Sequence, residues 1–477
     1  MYLQDLLKAS VLLFVLVSTC FCEDSKNKSG GCEFSLDDSN TNTYNCSKRD
    51  LDTVPSSWPK EIQDLGKDAH VLLTFFSNKI RNITELAPVQ GSRIAISFKA
   101  NKIVDIVNDA FKNIQNLVYL DLSNNSITGE VLRSEIFQGP YEDGVYANIA
   151  LETLNIGYNK VHSIDKNLFL NTPNLKRLYM NNNPLEILDH VTMVAISSAA
   201  DLEILDLAYT ELESIPLNAF KGLSKIKEMD LSGNRFTMVP ESLRLVGNTL
   251  EYLSFNNNPI VELNDDSFID LGNLKVLEVA ENDDLEEVKR STFTPLTSLK
   301  TLHLCHNENL RYISHNAFRA LRNRWTLKEV YLDDNNLREL PVDLMPWERL
   351  EVLGLTGNDW LCNCDLAGII ITQGAGQKFK EEEIPFCSSP DKMSGKFLTV
   401  MSVEGCPTEP ESPPKQSFLS NLRPKHILWS ILGVALIVLI GMGTGLLVNS
   451  IKTYYKNRDN HQTIRYVNLH NTKSSFA

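Results

Sequence analysis

The chain has 477 residues, with 60 aspartates and glutamates against 46 lysines and arginines, and a formal net charge of −14 at pH 7. This length exceeds what one ordinary hydrophobic core supports, so several domains or a repeat architecture are expected. An acidic balance of this size argues against a nucleic-acid partner, which needs a basic surface.

Residues 1–22 are typical of a secretory signal peptide. Lys8 precedes an apolar run from Val11 to Val17, and small residues follow that run. The run is too short to span a bilayer, and cleavage after Cys20 or Cys22 fits the pattern equally well. Export would place the remaining cysteines in an oxidising compartment, where disulfides persist.

A repeating pattern fills residues 70–360. The template L-x-x-L-x-L-x-x-N-x-L fits twelve times, for example at LVYLDLSNNSI (117–127) and LEYLSFNNNPI (250–260). Most intervals are 23 to 25 residues. Eleven copies carry asparagine at the ninth position, and the exception is Thr210; the asparagines are Asn78, Asn101, Asn125, Asn159, Asn183, Asn234, Asn258, Asn282, Asn307, Asn335 and Asn358.

The chemistry of a stacked strand explains this spacing. The fourth and sixth positions point the same way from a short strand and fill a core. The asparagine amide both donates and accepts, so it can satisfy backbone groups that the following turn would otherwise bury unpaired. Threonine does only part of this, so we expect the turn at Thr210 to be a weak point.

The pattern resembles the leucine-rich repeat of animal extracellular transmembrane proteins of the adhesion and receptor type, and the resemblance covers about residues 32–406. It implies an α/β solenoid, a horseshoe with a parallel concave β-sheet. The phenylalanines that recur after each turn are expected in the convex core: Phe111, Phe169, Phe220, Phe268, Phe293 and Phe318. One long interval contains residues 129–150, which should form a projecting loop, either a contact surface or an inert insertion.

Cysteines cluster at both ends of the repeats. Residues 23–69 hold Cys32 and Cys46 and resemble an N-terminal cap, whereas residues 361–406 resemble the C-terminal cap of the family. Spacing alone leaves three connectivities open for the last four cysteines. The resemblance implies the pairs Cys362–Cys387 and Cys364–Cys406.

Cys305 is left over, beside His303 and His306. The repeat exposes all three positions, so these side chains are expected as ordinary surface residues rather than as a zinc site. A covalent dimer through Cys305 is the remaining alternative, and no metal or cofactor is expected.

The concave face is the expected binding surface, because tyrosine is enriched at protein interfaces and a sheet of roughly 50 Å suits a macromolecular ligand. A solvated strand face is the simpler alternative. The candidate residues at outward positions are Tyr119, Tyr158, Tyr179, Tyr209, Tyr252, Tyr331, Asp206, Asp230, Glu278 and Asp333.

Glycosylation signals limit where a ligand can lie. The sequons are at Asn27, Asn45, Asn82 and Asn124, and the one at Asn45 has cysteine in its centre. A glycan at Asn124 would obstruct the early repeats. We therefore expect the ligand footprint over roughly residues 175–335.

The C-terminal part predicts a membrane anchor. Residues 407–426 form a proline-rich stalk, residues 427–448 form a charge-free run long enough for one transmembrane helix, and residues 449–477 form a basic cytoplasmic tail. Gly441 and Gly445 would permit helix dimerisation. Tyr466, in TIRYVNL, resembles a tyrosine inhibitory motif and also an endocytic signal, which would bind an adaptor.

Together these features predict a single-pass type I plasma-membrane receptor or adhesion protein that binds an extracellular protein ligand. An innate immune receptor or co-receptor for a microbial ligand is the alternative. An enzyme is disfavoured, because the sequence has no nucleophile elbow, phosphate loop or H-E-x-x-H motif.

Overall fold

The computed structural model describes residues 31–36, 40–321, 324–380 and 383–404. The expected signal peptide, stalk, membrane helix and tail, with Asn27, Cys406, Gly441, Gly445 and Tyr466, lie outside the described residues. Within the part that is described, no helix is both long and apolar enough to cross a bilayer.

Short strands dominate the described chain. In chain order they are β1 (Glu33–Leu36), β2 (Thr41–Asn45), β3 (His70–Thr74), β4 (Asn82–Ile83), β5 (Arg93–Ser97), β6 (Asp105–Ile106), β7 (Leu117–Asp121), β8 (Tyr141–Glu142), β9 (Val145–Tyr146), β10 (Thr153–Asn155), β11 (Arg177–Tyr179), β12 (Ile204–Asp206), β13 (Glu228–Asp230), β14 (Tyr252–Ser254), β15 (Glu262–Leu263), β16 (Val276–Glu278), β17 (Glu287–Val288), β18 (Thr301–His303), β19 (Tyr312–Ile313), β20 (Glu329–Tyr331) and β21 (Val352–Gly354). The α-helices are α1 (Lys60–Gln63), α2 (His190–Ser198) and α3 (Cys364–Ala367).

One sheet of fourteen strands forms the spine, in the order β1-β2-β3-β5-β7-β10-β11-β12-β13-β14-β16-β18-β20-β21. The β1–β2 pair is antiparallel, and every later pair is parallel. The twelve strands from β3 onward correspond to the twelve copies of the template. Their register places equal template positions side by side, as with Leu120, Leu154 and Leu178. These leucines have no exposed surface, so they stack into one continuous core.

The ninth-position asparagines connect neighbouring repeats as their chemistry predicts. The Asn183 amide donates to the Met180 carbonyl of its own repeat (2.8 Å) and to the Ile156 carbonyl of the preceding one (2.9 Å). Its oxygen accepts the Val161 N–H at 3.0 Å. One side chain therefore satisfies three buried backbone groups in two repeats.

Thr210 replaces only part of this network. Its single hydroxyl hydrogen has two acceptors within reach, the Leu207 carbonyl (2.7 Å) and the Asn234 oxygen (3.0 Å). It makes no bond to the Met180 carbonyl of the repeat before, and the Leu185 N–H bonds instead to the Asn183 carbonyl (2.8 Å). The expected weakness of this turn stays a prediction, and the bond that is missing is the one from residue 210 to the Met180 carbonyl.

The eighth position of all twelve repeats has a left-handed backbone, with φ between 51° and 65°. Only two of these residues are glycine. For a residue with a Cβ this conformation costs about 1 kcal/mol or more, so the neighbouring backbone bonds must hold it. The residues are Ser77, Ala100, Asn124, Tyr158, Asn182, Tyr209, Gly233, Asn257, Glu281, His306, Asp334 and Gly357.

The predicted parallel-strand solenoid is confirmed, and its returning segments contain less helix than the α/β expectation implies. Among the described repeats α2 is the only α-helix, and it occupies the 27-residue interval between Leu175 and Leu202. Shorter returns leave too few residues for a stable helix. They form turns, 3₁₀ segments and the small parallel sheets β4-β6 and β15-β17-β19, packed over buried phenylalanines such as Phe293 and Phe318 (centroids 4.8 Å apart).

The insertion at residues 129–150 projects only in part, which corrects the expectation of one projecting loop. Leu132, Ile136 and Phe137 are fully buried, and the Phe137 ring stacks on Phe111 with centroids 6.1 Å apart. Their apolar side chains extend the convex core instead of facing water. What projects is the β8–β9 hairpin, whose strands pair with each other in the described structure.

Two disulfides form at positions that the resemblance to the terminal caps implies, and they join Cys32 to Cys46 and Cys362 to Cys387. Cys364 is also disulfide-bonded, but the expected partner Cys406 is outside the described residues. Cys305 carries a free thiol.

Candidate functional site

Two rows of side chains line the concave face because the register aligns the third and fifth template positions. The third-position row contains Tyr119, Thr153, Arg177, Ile204, Glu228, Tyr252, Val276, Thr301 and Glu329. The fifth-position row contains Asp121, Asn155, Tyr179, Asp206, Asp230, Ser254, Glu278, His303 and Tyr331.

The six candidate tyrosines fall into two groups, so they do not form one patch. Four lie in the rows and are partly covered by their neighbours: Tyr119, Tyr179, Tyr252 and Tyr331. Burial is the first cause that raises the pKa of each phenol, that of Tyr331 to about 12. Tyr158 and Tyr209 are at the left-handed eighth position and are 56% and 46% exposed. Sequence reasoning placed all six outward but could not separate the sheet face from its rim.

Tyr209 lies along the rim towards later repeats. A Cβ added at Gly233, the eighth position of the next repeat, would come within 2.3 Å of the Tyr209 ring carbons. One repeat further, the Asn257 amide donates to the Tyr209 hydroxyl at 3.4 Å. The absent side chain at Gly233 therefore lets this ring span two repeats.

The aspartates of the fifth-position row serve the backbone as well as the surface. Asp206 accepts the Ala208 N–H and Asp230 accepts the Ser232 N–H, each at 2.9 Å. Burial raises the pKa of Asp206 to about 7, opposed by the Ala208 hydrogen bond and assisted by the charge of Asp230. Burial likewise raises the pKa of Asp230. Both carboxylates are costly to ionise because no cation pairs with them in the described structure.

Glu278 and Asp333 also contact their neighbours. Glu278 accepts from the Ser254 hydroxyl (3.2 Å) and from the Asn256 amide (3.1 Å). Asp333 accepts from the backbone N–H of Thr356 (2.9 Å) and from its hydroxyl (2.7 Å). These two candidates therefore help to fix the face as well as charge it.

The lysines of the concave side belong to a separate charged ladder at the second template position. Lys176 pairs with Glu152, Lys227 with Glu203 and Lys275 with Glu251, at 3.7, 2.9 and 2.7 Å. Exposed pairs of this kind add at most about 1 kcal/mol each. Their importance is electrostatic, because they neutralise one another and leave the fifth-position row acidic.

The C-terminal cap reaches the last part of the concave face. The His303 ring stacks on Tyr331 with centroids 4.5 Å apart and planes 5° apart, and the Lys380 ammonium lies 5.1 Å from the Tyr331 centroid. Burial lowers the pKa of His303, which favours the neutral imidazole in the stack. This end of the face is therefore partly covered.

The His303, Cys305 and His306 group does not assemble around a common point. His303 stacks on Tyr331, while the His306 Nδ1 lies 3.3 Å from an Asp334 oxygen. Burial raises the pKa of the Cys305 thiol to about 11, which keeps it protonated and poorly reactive. The described residues contain no cluster of three or more histidine, cysteine or acidic side chains able to hold a metal.

The sequons differ in accessibility. Asn82, in β4, and Asn124, at the left-handed eighth position, are both exposed. Asn45 is partly buried, and its side chain accepts the Ser47 N–H at 2.9 Å. Glycosylation at Asn82 and Asn124 stays a prediction.

The geometry defines a class, a solenoid of leucine-rich repeats with cysteine caps. Family comparison agrees, since the family described as "Leucine rich repeat" matches residues 187–236, 248–308 and 272–328, and a second description of the same repeat matches residues 116–135. The matched segments are therefore similar to leucine-rich repeats, in the part of the chain where the structure shows the stacked parallel strands.

Part of the chain is also similar in sequence to curated animal proteins. The chain is 29% identical to keratocan of Coturnix japonica over 203 residues, which is 42% of this chain and 52% of keratocan. It is 26% identical to osteomodulin of Rattus norvegicus over 209 residues, 43% of this chain and 44% of osteomodulin. It is 28% identical to "Transforming growth factor beta activator LRRC33" of Danio rerio over 170 residues, 34% of this chain and 23% of that protein. The chain thus spans about half the length, or less, of these relatives.

Proposed function

We propose that this protein is a non-enzymatic, single-pass cell-surface receptor or adhesion protein that captures an extracellular protein through its concave face. The observation that carries the proposal is the fifth-position row between Tyr179 and Glu278. It presents Tyr179, Asp206 and Asp230 on consecutive strands in one register. The lysines nearby are already paired with glutamates, so this row offers a ligand an aromatic anchor beside two carboxyl groups that have no cationic partner in the described structure.

Features at both ends of the fifth-position row limit where we expect the ligand to bind. An exposed sequon at Asn124 precedes the row, and the stack of His303, Tyr331 and Lys380 occupies its far end. The uncovered part lies over the strands β11 to β16. This narrows the expected footprint of residues 175–335 towards its N-terminal half, with Tyr331 and Asp333 nearer its edge.

The remaining features belong to the proposal and rest on the sequence. Export through residues 1–22, anchoring through residues 427–448, helix pairing at Gly441 and Gly445 and adaptor binding at Tyr466 would complete a type I receptor. A covalent dimer through Cys305 is disfavoured, because its thiol is half-buried and its pKa is raised.

A binding screen tests the function. The soluble fragment 23–426 contains both caps, and it would be screened against extracellular proteins and against microbial products. A protein ligand supports the proposal, whereas binding to a microbial product alone would favour an innate immune role. Homotypic binding, seen as aggregation of cells that express the chain, would indicate adhesion.

Alanine variants then locate the footprint. Tyr179→Ala, Tyr209→Ala and Tyr252→Ala should each weaken ligand binding by about 1 kcal/mol or more, because buried aromatic anchors dominate interface energies. Tyr312→Ala is the matched control, since Tyr312 is exposed in β19, outside the large sheet. Unchanged affinity in all three face variants, with an intact circular dichroism spectrum, would refute the placement.

A further inference from the structure

The β8–β9 hairpin is the one part of the insertion at 129–150 that leaves the repeat packing. It closes through Asp143 and Gly144, both with positive φ (51° and 89°), as a two-residue Asp-Gly hairpin turn requires. The Gly139 N–H bonds to the Ala147 carbonyl at 2.8 Å and fixes its base. The side chains of Tyr141 and Tyr146 are 64% and 44% exposed, and their rings meet edge-on with centroids 4.9 Å apart.

The charged residues next to these tyrosines in the sequence are all negative. Glu142 and Asp143 follow Tyr141 directly and precede Tyr146 by four and three residues. The whole stretch of residues 134–159 contains no lysine or arginine. Both acidic side chains are exposed, and neither forms a salt bridge in the described structure.

The other exposed tyrosines of the described chain lack this combination. Tyr158 has no acidic residue within five positions, and Tyr312 follows Arg311. Tyr209 has acidic neighbours, but its backbone is left-handed and its N–H bonds to the Ser232 carbonyl of the next repeat at 2.7 Å. An enzyme could reach the Tyr209 segment only by opening the solenoid, whereas both outer edges of the hairpin are free of strand pairing in the described residues.

We propose that Tyr141 is an acceptor of tyrosine O-sulfation in the secretory pathway. An enzyme that holds an anionic activated-sulfate donor presents cationic side chains, and these attract an acceptor flanked by carboxylates. The extended strand β8 can lie along such an active site through its free edge, as peptides do on sheet edges. Tyr146 is the weaker acceptor, because it is less exposed and the carboxylates precede it at greater distance along the chain.

The transfer balances without a redox step. The phenolic oxygen of Tyr141 attacks the sulfur of a phosphosulfate anhydride, forming the oxygen–sulfur bond of a sulfate ester. The bond between sulfur and the bridging oxygen breaks, the nucleotide phosphate leaves with that oxygen, and the phenolic proton passes to a base of the transferase. The product adds a fixed negative charge beside Glu142 and Asp143, so the modified hairpin favours basic partners.

Mass spectrometry of the full chain, expressed in secretory animal cells, tests the proposal. Trypsin should release residues 134–160 as one peptide, which contains Tyr141, Tyr146 and Tyr158. We expect the mass increment of one sulfate ester on Tyr141, lost in Tyr141→Phe and retained in Tyr158→Phe. Chlorate, which blocks synthesis of the sulfate donor, should abolish it. The double variant Glu142→Gln, Asp143→Asn should reduce it severalfold, while asparagine still tolerates the left-handed turn.

Each other outcome overturns the proposal. An increment that survives chlorate and is removed by phosphatase is a phosphate ester. An unmodified peptide from protein that carries Golgi-processed N-glycans shows that the exported hairpin is not an acceptor. Protein found neither on the cell surface nor in the medium did not pass the transferase, which refutes the secretory step. This last result would also remove the export on which the proposed cell-surface function rests. The first two results leave that function untouched, so they distinguish failure of the hairpin proposal from failure of the receptor proposal.

Discussion

Replacing Asp206 by asparagine should stabilise the protein, and by more at alkaline pH than at acidic pH. The folded-state pKa of about 7 exceeds the unfolded value of about 3.9 by about 3 units, each equal to about 1.36 kcal/mol. The folded state thus binds more protons between about pH 4 and pH 7, and its stability falls as the pH rises through that window. The ionised carboxylate costs at most about 4 kcal/mol above pH 7.

Asparagine removes the charge but keeps the local hydrogen bond. Asn155 already occupies the same template position two strands earlier and accepts the Gly157 N–H at 2.9 Å, as Asp206 does from Ala208. Because water still reaches this partly open face, we expect Asp206→Asn to gain roughly 1–3 kcal/mol at pH 8, and about 1–2 kcal/mol less at pH 5.

Guanidinium denaturation of both proteins at the two pH values measures the difference. Asp201→Asn is the control, because that carboxylate is on the rim and pairs with Lys225 at 2.6 Å. It should lose at most about 1 kcal/mol at either pH. A loss of stability in Asp206→Asn, or a gain that does not change with pH, would show that folding does not raise the pKa of Asp206.

Two further predictions concern the backbone framework. Thr210→Asn should raise stability by about 1 kcal/mol, because it gives the Met180 carbonyl, which already accepts from Asn183, a second amide donor from the next repeat; an unchanged or lower denaturation midpoint would contradict this. Gly233→Ala should cost about 1–2 kcal/mol, because φ is +64° and the new methyl group displaces the Tyr209 ring. Gly66→Ala, with open space and no positive φ, is its control, and equal midpoints for the two would refute the reasoning.

Most of the fold could be predicted from the repeat period. Leucines at two fixed positions and an asparagine at a third define which side chains face the core and which group closes each turn, so twelve strands and their order follow from counting. The secondary structure of the returning segments was harder to predict. Their phenylalanines identify a core, but 3₁₀ turns and a nine-residue helix fill the same length of chain, and the choice depends on packing.

The candidate site was predictable by position but not by orientation. Half of the residues at position eight are glycine, asparagine or aspartate, which favour a left-handed backbone, but tyrosine, glutamate and histidine also occur there, so residue type alone is an incomplete signal. The stack of His303 on Tyr331 follows from the strand register, whereas the Lys380 contact with the Tyr331 ring comes from a cap that is distant in sequence. The Asp143-Gly144 turn, by contrast, had a readable signal, since Asp-Gly between apolar residues is a strong hairpin pattern.

Two turns of the solenoid contain one residue more than the template, and the spacing of the large sheet does not change with them. Asp283–Asp284 and Glu308–Asn309 lengthen their loops by one residue, yet Leu277 and Leu302 remain directly paired across β16 and β18. Length variation is therefore absorbed behind the sheet, while the front keeps its spacing. An outward residue that bonds to no neighbouring strand can therefore be exchanged without changing the register of the sheet, so the binding surface can change one strand at a time.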